Sequence, residues 1–123
     1  MKLKWTAAIM LLIATPSLAL AHAPKIGVNG GAQADAGSLH VEVVPSGNTL
    51  QVFLRNHADK AVATAGYKGT AIFVVDGKPL RIPLTAAGDN RLTGTSAVAI
   101  PGAPKGAVQI ITPAGSTMQA KFN

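Results

Sequence analysis

Four residues of this 123-residue chain carry types and spacing suited to coordination chemistry: His22, His40, Glu42 and His57. His22 lies in Ala19-Leu20-Ala21-His22-Ala23-Pro24, a small-residue stretch that reads as an export-peptidase site. A cut after Ala21 makes His22 the first residue, and its free amine and imidazole Nδ1 can then chelate one ion. Borderline nitrogen donors of this kind suit copper(II), and Pro24 has no amide N–H to extend the run of backbone ligands. His40 and Glu42 stand two apart in an alternating segment, which puts them on one strand face roughly 7 Å apart. His57 sits in Arg55-Asn56-His57-Ala58-Asp59-Lys60, on the same face by parity. Three imidazoles with a carboxylate nearby predict a metal site, copper(II) first and zinc second. Each residue also has a plainer reading: His22 as a bare terminus, His40 and Glu42 as surface decoration, His57 as a turn cap.

The leader that would expose His22 has the expected parts. Lys2 and Lys4 precede an apolar stretch from Trp5 to Ala14, then Thr15-Pro16-Ser17 and small residues. The stretch is too short, and too interrupted by Pro16, to span a membrane, which needs ~20 apolar residues. The chain therefore divides into a signal peptide (1–21), a flexible Gly-rich arm (22–37) and one folded domain (38–123), with the mature protein in the periplasm and no membrane span once the leader is removed. Cleavage after Ala23 would discard His22, but it places Pro24 directly behind the scissile bond. Loss of Lys2 and Lys4 lowers the formal charge from +6 to +4, spread over nine scattered Lys and Arg against five acids. With no basic run and no aromatic platform, the pattern argues against nucleic-acid binding. The absence of cysteine excludes disulfides and thiolate ligands.

From Leu39 onward, short β-branched runs alternate with turn signals, which predicts an all-β domain. Leu39–Val44 and Thr49–Arg55 flank Pro45-Ser46-Gly47-Asn48. If Ser46-Gly47 centres that hairpin, His40 faces Phe53 and Glu42 faces Gln51, both toward solvent, while Leu39, Val41, Val43, Leu50, Val52 and Leu54 face the core. In that register residue 57 lies opposite residue 36, roughly 13 Å along the strand from His40. Joint ligation by His40 and His57 then requires Asn56–Lys60 to curl back. Asp76-Gly77 is the strongest hairpin signal, between Lys68–Val75 and Lys78–Leu84. Further strands are expected over Arg91–Ile100, Ala107–Thr112 and Thr117–Phe122, with Met118 as packing rather than a thioether ligand. About seven short antiparallel strands suggest an immunoglobulin-like sandwich.

Enzymatic signatures are absent from the sequence: no nucleophile elbow, no phosphate-binding glycine loop, and no two acids within four residues of each other. The expectation is a non-enzyme. The segments Leu39–Val44, Phe53–Val62 and Leu84–Gly94 resemble a family of small proteobacterial periplasmic proteins that is itself similar to a domain of heavy-metal efflux adaptors. The resemblance implies a β-sandwich for envelope metal homeostasis, with His22, His40 and His57 at the family's histidine positions and a periplasmic efflux or metal-handling protein as partner. This chain departs from the pattern at Asn56, where relatives carry Asp before the histidine, and at Asn29, where relatives carry His before Gly-Gly. The competing expectation is a non-catalytic interaction module that docks a partner by strand addition.

Overall fold

The computed structural model describes residues 25–123. The expected leader, its cleavage site and His22 lie outside the described residues. Nine strands follow one another: β1 (Lys25–Ile26), β2 (Ala32–Ala36), β3 (Leu39–Ser46), β4 (Thr49–Asn56), β5 (Lys68–Val75), β6 (Lys78–Ala86), β7 (Arg91–Thr95), β8 (Lys105–Ile111) and β9 (Thr117–Phe122). They form a single antiparallel sheet in the order β1-β2-β3-β4-β7-β6-β5-β8-β9. Among the described residues there is no helix, and hence none long and apolar enough to cross a membrane.

The all-β expectation holds, but the sheet is continuous rather than split into the two layers of a sandwich. Neighbours in sequence pair as hairpins except β4 with β5 and β7 with β8, and the β4–β7 and β5–β8 ladders join the groups. The sheet curls until β2 and β9 come within 8 Å, Cα to Cα, without a shared ladder among the described residues. Strand alternation then sends one face inward. Val41, Val43, Leu50, Val52, Leu54, Phe73, Ile82, Leu92, Val108 and Ile110 are fully buried there. This inner face includes all six residues that the periodicity assigned to it in β3 and β4.

Three local differences from the sequence reading have clear causes. The first hairpin turns on Gly47-Asn48, with Gly47 at φ 60°, so Ser46 pairs with Thr49. Gly at the first centre of a two-residue turn is the type II′ arrangement that matches strand twist. The shift moves every partner by two residues and leaves the faces unchanged: His40 opposes Arg55, and Glu42 opposes Phe53. Second, Lys25–Ala36 is not an irregular arm but supplies β1, β2 and the loop between them. Third, β7 ends at Thr95, and the chain leaves the sheet well before Ile100, where Ser96 Oγ accepts from Val98 N–H at 3.1 Å and turns the backbone out of the ladder. The Asp76-Gly77 hairpin is as expected, with both turn residues at positive φ.

Candidate metal centre

The site is built where the β2–β3 turn meets the turn that follows β4. Asp35 and His40 are cross-strand partners in β2 and β3. Their parity is outward, and side chains directly opposite on one face of an antiparallel pair touch. His40 Nδ1 lies 2.6 Å from Asp35 Oδ1. Because a carboxylate accepts, this bond fixes the imidazole proton on Nδ1 and turns the Nε2 lone pair away from Asp35.

His57 arrives from the other side. Beyond β4 the chain does curl back: Asp59 N–H donates to Asn56 O at 2.9 Å, and Asn56 N–H donates to Lys60 O at 2.9 Å. The Asn56 side chain locks the turn, its Oδ1 accepting from Ala58 N–H (2.9 Å) and Lys60 N–H (3.0 Å). Side-chain acceptance from nearby backbone is what asparagine does at turns. Asp59 takes φ 59° there, a conformation that aspartate tolerates better than most residues. Downstream, buried Thr64 ties the loop to the β6–β7 turn through Asp89 O and Arg91 O.

The result is a pair of rings meeting edge to face. The centroids of His40 and His57 are 4.7 Å apart, with an 83° angle between the planes. His57 Nε2–H donates to Gly37 O at 3.2 Å, which leaves its Nδ1 lone pair available. One ligand atom from each of Asp35, His40 and His57 lies within 4.8 Å of the others. Asp59 Oδ1 stands 4.0 Å from His40 Nε2. Histidines whose far nitrogen is engaged by a carboxylate or a backbone carbonyl are pre-oriented as metal ligands. The arrangement can therefore hold a borderline divalent ion through nitrogen with carboxylate help.

Of the residues singled out from the sequence, His40 and His57 come together and Glu42 is employed elsewhere. Glu42 was expected on the solvent face, but its side chain is only 1% exposed. Its parity is outward as expected; the loop between β1 and β2 folds over it. Asn29 N–H and Gly31 N–H each donate to Oε2 at 2.9 Å, while Asn29 Nδ2 and Arg55 each reach Oε1 at 3.2 Å. The cover is possible because residues 27 and 31 are glycines: a Cβ on Gly27 would overlap the Glu42 carboxyl, and one on Gly31 would overlap Val43 O. The glycines there serve close approach, not a flexible arm.

Sequence reasoning missed Asp35 and Asp59. Asp35 lay in the segment read as an irregular arm, where no strand parity could be assigned. Asp59 was visible two residues beyond His57, but a turn gives no periodicity from which to read direction.

No protein-family model, curated protein or solved structure matches this chain. Function is therefore argued from the geometry of the site.

Proposed function

We propose that this is a non-catalytic protein that binds a divalent transition-metal ion, copper(II) first and zinc second, through His40 and His57 in the company of Asp35. The observation that carries the reading is the meeting of two imidazoles, one from strand β3 and one from the turn after β4, each with one ring nitrogen already engaged. Copper leads because imidazole nitrogen with carboxylate oxygen, and no thiolate, favours it in the ordinary order of divalent affinities. Under this reading the protein is exported to the periplasm, a reading supported by the leader-like pattern of Lys2, Lys4 and Trp5–Ala14, and His22, exposed by cleavage after Ala21, adds a third imidazole. Its role is to buffer the ion or hand it to a periplasmic metal-handling partner, such as an efflux component.

The test is titration of the exported protein with copper(II) and with zinc(II), followed by calorimetry and native mass spectrometry. One ion should be retained per chain, and His40→Ala and His57→Ala should each abolish retention at micromolar protein. A wild-type chain that keeps neither ion would end the proposal. An ion kept equally well by both variants but lost in His22→Ala would move the site to the terminus alone.

A second reading draws on the seam. Between β2 and β9 lies a cleft of about 430 Å³, lined by Gln33, Asp35, Lys121 and Phe122 among others. On one side β9 pairs only with β8, and on the other β2 beyond Gln33 pairs only with β3, so both offer backbone groups to an extended peptide, which is how a strand-addition module works. Under this reading peptide binding would be indifferent to His40→Ala.

A further inference from the structure

The two histidines leave open which carboxylate touches the ion, and the distances distinguish the candidates. Two ligand atoms about 2.0 Å from one ion are about 2.8 Å apart at right angles, as in tetragonal copper(II), and about 3.4 Å apart in a tetrahedron. Asp35 Oδ1 and His40 Nδ1 are 2.6 Å apart, the length of a charge-assisted hydrogen bond. Asp35 thus holds the back of the ring, as Gly37 O holds the back of the His57 ring. The free edge of His40 is Nε2, and the carboxylate on that side is Asp59. At 4.0 Å, Asp59 Oδ1 is too far for a hydrogen bond to Nε2 and slightly wider than two ligands of one ion. The carboxylate within 4.8 Å of both imidazoles is that of Asp35, so ligation by Asp59 requires its exposed side chain (71% accessible) to swing inward toward His57.

We propose, resting on the metal-binding reading above, that Asp59 is the anionic ligand of the ion, alongside His40 Nε2 and His57 Nδ1, and that Asp35 is a positioning residue. The ion is then clamped between the β2–β3 hairpin, which brings His40, and the Asn56–Lys60 turn, which brings His57 and Asp59 two residues apart. Two neutral imidazoles with Asp35 and Asp59 close by balance the charge of a divalent ion. A donor set of nitrogen and oxygen without sulfur selects borderline ions such as copper(II), zinc(II) and cobalt(II), and offers little to copper(I).

Cobalt(II) is the probe, because its visible bands follow the atoms that coordinate it. The full chain carrying Asp59→Asn, which keeps a residue tolerant of positive φ, is compared with Asp35→Asn and wild type, with circular dichroism confirming the fold of each. Asp59→Asn should shift the cobalt bands and weaken zinc(II) by more than Asp35→Asn does. Asp35→Asn should leave the bands in place while weakening binding about 10–100-fold, the usual effect of removing a partner behind a ligand. Bands unchanged in Asp59→Asn, or shifted in Asp35→Asn, would overturn the assignment while leaving metal binding itself intact. A wild-type chain that binds no cobalt, zinc or copper would overturn both.

Discussion

At the scale of single residues, the contrast between Glu42 and His40 shows how burial separates a structural group from a chemical one. Both stand on β3 with outward parity, two residues apart. Glu42 is covered, and its oxygens accept from Asn29, Gly31 and Arg55, so it has no spare capacity for an ion. A buried ion pair of this kind adds little over an apolar pair of the same shape, but breaking one partner strands the other charge. Glu42→Ala should therefore cost about 3–5 kcal/mol of stability, measured by chemical denaturation, by freeing the β1–β2 loop and orphaning Arg55. The remaining folded protein should still take up zinc(II). Loss of binding with full stability would instead make Glu42 a ligand.

At the scale of elements, the turn after β4 does most to create the site, because it alone carries a second imidazole to His40. Its shape rests on Asn56, whose side chain touches neither ring in the hydrogen-bond network yet caps two backbone amides. Asn56→Ala should cost about 1 kcal/mol of stability, the net worth of a typical hydrogen bond, and lower metal affinity more than stability, since the ligands would have to be ordered on binding. Calorimetry beside thermal melts checks the pair of effects; an unchanged affinity would show that the turn forms without its cap. This element also marks the limit of what the sequence makes legible. Alternation in β3 and β4 was readable because each residue faces either core or solvent, and a two-residue slip in the hairpin register preserves that assignment. Asp76-Gly77 was readable because I′ turns demand positive φ at both centres. The curl at 57–60 and the folding of Lys25–Ala36 onto Glu42 depend on side-chain-to-backbone bonds and on close approach at Gly27 and Gly31, and neither leaves a periodic trace. Hence the faces of β3 and β4 were legible, while the distance between His40 and His57, and the carboxylates beside them, were not.

At the scale of the whole molecule, one sheet carries nine strands, but the candidate centre involves only its β2–β4 end and the loop leading to β5. That loop crosses from β4 to β5, which are separated in the sheet by β7 and β6, and it is pinned midway by Thr64 to the β6–β7 turn. An ion held by His40 and His57 would therefore link the β2–β3 hairpin to the crossing loop, joining parts of the chain that the ladders leave separate. Binding that favours only the folded state adds about 2.7 kcal/mol at a free concentration of 100 Kd. For a domain of about 100 residues a gain of each kcal/mol raises Tm by roughly 4–8 °C. Saturating zinc(II) should thus raise the melting temperature by ten degrees or more, and His57→Ala should erase the rise. Amide exchange should slow at Gly37, Ser38 and residues 57–60 on metal addition, while the β5–β6 hairpin, at the far side of the sheet from the ion, keeps its native rates. Equal slowing across the sheet would point to a general ionic effect rather than a clamp, because an ion bound at one junction lowers the opening of the segments it joins before it lowers any other.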